Sequence, residues 1–173
     1  AYSAVLDLTD DKDWEIRAIG CELVARYNDH EGQGLGAVLP LAKDREALVR
    51  LAAMDAIVLL RNPRGHTAGL EGLKDRDWRV RAASIKICRQ YRRKSSIDPL
   101  IALLKDEHGR LVDDAAAALR DICDRDIPGD HERWTKWWIR AKDRFKVPTA
   151  AEVERMERGA ADPSDALLAA AKD

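Results

Sequence analysis

A chain of 173 residues is long enough for one ordinary domain or a short repeat array. Its 27 alanines and 19 leucines stand against 4 threonines and one phenylalanine, with 35% of residues charged, a helix-forming composition that excludes an all-β domain. The formal charge of −1 conceals a segregation: residues 1–32 carry 8 acids and 3 bases, 33–147 carry 17 and 24, and 148–173 carry 6 and 3. A basic middle between acidic ends steers an acidic partner or lets copies stack head to tail, but fields of this size are also common on proteins that bind no nucleic acid. No apolar run approaches the ~20 residues of a membrane span, and no signal-like segment opens the chain, so a soluble chain without membrane insertion is expected. It begins at Ala1, which leaves the compartment open between the cytoplasm and export after loss of an N-terminal signal.

In chain order, the segment Leu8–Arg17 is echoed by Leu41–Arg50, by Leu73–Arg81 and by a fourth copy starting at Leu104. The shared aspartates are Asp11, Asp44, Asp75 and Asp106, and the aliphatic residue five places on is Ile16, Val49, Val80 or Leu111, with gaps of 33, 31 and 31 residues. Four places beyond that stand Gly20, Ala53, Ser84 and Ala115. A small residue recurring at one slot predicts a close approach of two backbones there. Leu23/Val24, Ala56/Ile57, Ile87/Cys88 and Ala118/Leu119 complete an apolar stripe at helical spacing. Asp13, Glu46 and Asp77 stand where a carboxylate can cap each of these helices. Shorter helices are predicted near 34–42, 65–73 and 96–104, reached through turn-prone stretches such as Asn62-Pro-Arg-Gly65. Neither helix of such a unit can bury its stripe alone, so the units must stack.

Residues Ser96 to Asp106 followed by Leu111, and Asp75 with Val80-Arg81, resemble the short bacterial and archaeal HEAT-like repeats of the phycocyanobilin-lyase type, over roughly residues 8–125. The resemblance implies a ladder of hydrogen bonds between neighbouring repeats through the shared aspartate and arginine. Asp11/Arg17, Asp44/Arg50 and Asp75/Arg81 match it, and Val112 in the arginine slot of the fourth unit should end it. The expected architecture is all-α: a right-handed α-solenoid of about four HEAT-like hairpins over 1–126 with the first unit partial. A Trp-rich capping helix should span 127–147 and an acidic helical tail 148–173. In the cap, Trp134, Trp138, Ala141 and Phe145 are expected on one helical face, similar to the tryptophan-rich closing segment of many bacterial HEAT-repeat proteins. A lid over the last repeat is the expected role, against an aromatic and basic surface for single-stranded nucleic acid. Thr149-Ala-Ala-Glu152 reads as a capping box in the tail, with a further helix starting near Asp162.

Candidates for chemistry are few. Cys21, Cys88 and Cys123 form no C-x-x-C pair, and His30, His66, His108 and His131 have no helical metal spacing, so no metal site, disulfide or cofactor is expected. No glycine-rich phosphate loop, nucleophile elbow or H-E-x-x-H helix occurs, and no catalytic residue is assigned. Trp78, Asp77 and Arg81 supply residue types used by HEAT-like DNA glycosylases, but they occupy repeat slots that already have a structural explanation. The slots facing away from the core offer more: Trp14 and Trp78 would flank Leu48 and Leu51, with Arg79, Lys86 and Arg110 on one side and Glu15 and Glu22 on the other. Aromatic anchors around an apolar centre with a charged rim describe a protein-binding hot spot, although the same tryptophans could simply cover helix starts. The expected function is a non-catalytic protein-binding scaffold or assembly subunit, self-association included, with nucleic acid disfavoured as a partner. The alternative is an enzyme-associated HEAT protein, either a chromophore lyase-like factor or a glycosylase-like nucleic-acid groove.

Overall fold

The computed structural model describes residues 2–27 and 33–149, so the helices expected within 150–173 lie outside the described residues. The elements are α1 (Tyr2–Asp7), α2 (Trp14–Arg26), α3 (Gln33–Leu41), α4 (Ala47–Leu60), α5 (His66–Gly72), α6 (Trp78–Tyr91), α7 (Ile97–Leu103), α8 (Gly109–Cys123) and α9 (His131–Ala141). Short 3-10 turns at Leu8–Asp10, Pro63–Gly65 and Lys94–Ser96 join some of them, and no strand occurs among the described residues. Each of α3, α5 and α7 packs on the long helix that follows it, while α2, α4, α6 and α8 pack side by side as a continuous layer. This is a helical solenoid.

Each long helix begins after a residue in extended backbone: Asp13, Glu46, Asp77 or His108. The carboxylates of Asp13 and Asp77 accept the N–H of Glu15 and Arg79 at 2.9 Å. Glu46, expected to cap in the same way, makes no such bond. Its extra methylene carries the carboxylate past the amide that a shorter side chain reaches. At the other end Arg61, Arg92 and Asp124 follow α4, α6 and α8 in left-handed backbone, with φ of 50°, 44° and 51°. That conformation costs a non-glycine residue roughly 1–2 kcal/mol, so these exits are imposed by the packing of the next short helix rather than by local preference.

The stripe read from the sequence is the core: Val24, Val49, Ile57, Val80, Ile87, Leu111 and Leu119 are fully buried. The small slot marks close approaches. A Cβ on Gly20 would lie 2.9 Å from the backbone carbon of Leu8, and one on Gly72 would lie 2.2 Å from the Ser84 hydroxyl. Ser84 returns its own hydroxyl to the Val80 carbonyl at 2.7 Å, which satisfies the one polar group in that slot.

Arginines tie the units together. Arg17 donates to both carboxylate oxygens of Asp44 at 2.8 and 3.1 Å, and Arg50 to both of Asp75 at 2.7 and 2.8 Å. Arg81 reaches Asp106 at 3.2 Å through Nη2, with its Nε 3.0 Å from the other oxygen but aimed off line. Each Nη1 also donates to the backbone carbonyl of its own unit's aspartate: Asp11, Asp44 or Asp75. The pairing therefore runs between neighbouring units, as the resemblance implies, from the arginine of one unit to the aspartate of the next. Among the described residues the Asp11 carboxylate receives no arginine, that of Asp106 does, and Val112 ends the series. Burial pushes the Asp75 carboxyl up, but the Arg50 guanidinium and the Asp77 backbone N–H outweigh it and hold the group below the usual carboxylate range.

A second buried polar contact joins short helices. His66, which opens α5, places Nε2 2.8 Å from the Ser96 hydroxyl just before α7, and Tyr91 meets the imidazole edge-on. Burial and the charge of Arg93 push the His66 pKa down.

Two predictions follow from these contacts. Arg50→Ala should destabilise the chain by about 2–4 kcal/mol in urea unfolding, because it strands a buried carboxylate, while Arg93→Ala in an exposed turn costs under about 0.5 kcal/mol. Arg81→Ala should fall between them, since its bond geometry is poorer; equal costs for all three would sink the ladder. For His66 the folded pKa lies below the unfolded value of about 6.5, so its contribution is full above that pH and is lost as the pH falls through the folded pKa. The urea midpoint should thus drop between pH 8 and 5, and His66→Gln should remove that drop. The aspartates act in a separate window, below about pH 4, because their folded pKa values are depressed.

Candidate binding surface

The slots facing away from the core lie on the long-helix layer, and neighbouring units bring them together: Lys86 of α6 sits 3.8 Å from Asp55 of α4 at the equivalent slot. The apolar part is narrower than expected. Leu48 and Leu59 of α4 are 42% and 64% exposed, whereas Leu51 is half-buried. Trp14 also is half-buried, packed against the core of the first units, so it is no free anchor. Trp78 keeps 36% of its surface and stacks on His108 at the start of α8, with ring centroids 5.7 Å apart. Its ring therefore does both things the sequence left open, covering a helix start while showing one edge. Arg79 is held by Asp77, the cap of its own helix, whose carboxyl that guanidinium draws down to about 2.

Charge changes sign across this face. Glu15 and Glu22 are exposed on α2, the leucines with Asp55 occupy α4, and Arg79, Lys86 and Arg89 follow on α6. Toward the C-terminal ends of α6 and α8 the surface opens into a groove of about 1000 Å³. Its walls carry Lys86, Arg89, Arg92, Arg120 and Arg125 interspersed with Asp121, Asp124 and Asp126, and Arg89 is paired with Asp121. The sequence reading missed this groove as a unit, because its residues run from Val58 on α4 to Asp126 beyond α8 and the charges are mixed in sign; the run Asp124-Arg-Asp126 was the one local hint.

Several polar groups suited to nucleophilic chemistry are buried. His66 and Ser96 are core residues, and Cys21, Cys88 and Cys123 are free, enclosed, and have thiols pushed up mainly by burial to about 12, 11 and 12. Trp78, Asp77 and Arg81 are occupied by the stacking, capping and ladder contacts already described.

The closing segment is a shorter helix than the 127–147 of the sequence reading. It ends at Ala141, and Phe145 lies in the turn beyond it, where its N–H donates to the Ala141 carbonyl at 2.9 Å and its ring packs edge-on to Trp137 and Trp138. Trp134 and Trp138 are buried in the core of the last units, and the Trp138 indole donates to Asp98 at 2.8 Å. Buried rings offer no stacking platform to bases. The Trp134 indole N–H is buried with no partner. Trp134→Phe should accordingly cost less than about 1 kcal/mol in chemical unfolding, while Trp134→Ala costs about 3–5 kcal/mol through the cavity it leaves.

No curated protein matches the chain. Among the described residues no helix is long and apolar enough to cross a membrane. Residues 66–129, from the first residue of α5 to the linker beyond α8, match the family model for HEAT repeats. That match begins where the packing begins a short-then-long hairpin, so residues 66–129 are HEAT-like repeats, and the arginine joints carry the same hairpin pattern back to α2.

Proposed function

We propose that this chain is a non-catalytic binding subunit that holds a protein partner on the outward stripe of its long helices. HEAT repeats in general mediate protein interactions. The observation that carries the reading here is the pair of exposed leucines, Leu48 and Leu59, about three helical turns apart on one face of α4 and bordered by acidic slots on α2 and basic slots on α6. An apolar centre with a rim of opposite charges fixes both contact and orientation of a protein partner. A nucleic-acid groove is the second reading, favoured by the arginines between α6 and α8 and opposed by the three aspartates among them.

The test begins with a partner recovered by crosslinking at native abundance and identified by mass spectrometry. Leu48→Asp with Leu59→Asp should then weaken its binding by about 2 kcal/mol or more, roughly thirty-fold, with little change in melting temperature because both side chains face solvent. Trp78→Ala should weaken binding as well but also lower the melting temperature, since it removes the stack on His108. A single strand of nucleic acid bound below micromolar concentration, with an affinity that falls steeply in salt and ignores the leucines, would overturn the choice.

A further inference from the structure

The flank of α2 that faces away from α4 repeats the features of an internal joint, except for the arginine. In α6 the stripe toward α4 consists of Val80, Ala83 and Ile87, all buried. The same slots of α2 hold Ile16, Ile19 and Leu23, and among the described residues no long helix lies beside them on that side. Ile16 and Leu23 are half-buried, and Ile19 is 51% exposed. The adjoining turn is already built for a ladder contact. Asp11 accepts the N–H of Asp13 at 2.8 Å, as Asp44 and Asp75 accept those of Glu46 and Asp77 at 2.8 Å. Its backbone carbonyl holds Nη1 of Arg17 at 2.8 Å, as that of Asp44 holds Arg50 at 2.9 Å. Asp44, Asp75 and Asp106 each receive the arginine of the preceding unit on their carboxylates, and among the described residues no arginine reaches the Asp11 carboxylate.

We propose that this flank docks a helix of a partner protein that presents an arginine next to an aliphatic residue, as Val49-Arg50 do in α4. The arginine completes the rung at Asp11 while the apolar face of the helix covers Ile16, Ile19 and Leu23. Charge selects this occupant. Residues 2–27 hold six acids and three bases, so a basic helix is complementary. A second copy is a poor fit, because its own N-terminal end is equally acidic and its opposite end carries Val112 in the arginine slot under the cover of α9. The segment 148–173 is acidic too. The carboxylate is held in place by a backbone bond before any partner arrives, which removes part of the ordering cost of a bidentate arginine contact. This surface is separate from the outward stripe and does not rest on the reading given for it.

A peptide of residues 46–65 of this chain serves as the probe, since it carries Arg50 and the α4 face. Titrated against the whole chain, it should bind, and Asp11→Asn should weaken it about ten-fold or more, as should Ile19→Glu. Asparagine keeps the bond to the Asp13 N–H, so melting of that variant should match the parent. Arg50→Gln in the peptide should cost a similar factor, and the two changes together no more than either alone. Because a free peptide must also become helical, the same segment is fused directly ahead of Tyr2, where the tether raises its effective concentration. There it should protect the α2 amides from hydrogen exchange, and Asp11→Asn should abolish the gain. Binding that ignores both Asp11 and Ile19, or a fused segment that leaves α2 protection unchanged, overturns the proposal.

Discussion

One guanidinium per joint sets how each hairpin meets the next. Arg50 reaches two backbone carbonyls of its own turn with Nη1 and both carboxylate oxygens of the following turn with Nε and Nη2, so a planar group with a fixed fork spans the joint. A planar fork satisfied on both sides leaves little freedom for one hairpin to rotate on its neighbour. Apolar packing alone would not be so selective, since the buried stripes are largely valine, isoleucine and alanine and tolerate sliding. The charge can be buried because every donor on the contact side finds an oxygen; an arginine with half of these partners would be too costly to enclose.

Other features follow from that joint. The aspartate turn must approach the long helix closely for the arginine to reach back to its carbonyls, which is why the slot four residues past the aliphatic one stays small and why Gly20 lies against the backbone of Leu8 and Thr9. The array also needs an ending in which the fork is absent, because an arginine in α8 would have no turn to reach. Val112 supplies an apolar side chain there, and it joins the cluster that Trp134 and Trp138 close from above. The linker between α8 and α9 lies tight on that helix, with Gly129 allowing no more than 3.1 Å between its would-be Cβ and that of Ala116.

The repeat was legible in the sequence because its strongest constraints fall on single slots: an aspartate, an aliphatic residue, an arginine and a small residue at a constant offset. The direction of the ladder was not. Within one unit the aspartate and arginine keep the same spacing whether the arginine pairs with the preceding or the next unit, so only the fold distinguishes Asp11, whose carboxylate no arginine of the described residues reaches, from Asp106, which Arg81 fills. The left-handed exits at Arg61 and Arg92 were invisible for a different reason: glycine or asparagine would have announced them, and arginine adopts that backbone only because α5 and α7 must return across the long helices. Phe145 keeps the place that its spacing from Trp138 and Ala141 predicts, although the regular helix stops at Ala141, because one further turn still joins its N–H to the Ala141 carbonyl.

The same logic separates the parts of this molecule that are free to carry function from those that are not. Slots that face the next unit are consumed by the fold, and even chemically suggestive groups are drawn in: His66 and Ser96 spend their hydrogen bond on each other, and Asp77 caps a helix while pairing with Arg79. Trp78 stands at the boundary, an outward slot partly recruited to packing by His108. Leu48, Leu59 and Glu22 have no such duty within the array, and nothing in the ladder or the core constrains their identity. A solenoid built on invariant joints can therefore place apolar and oppositely charged side chains on one continuous face without a stability cost, and that freedom makes the long-helix layer a surface on which recognition can be specified one slot at a time.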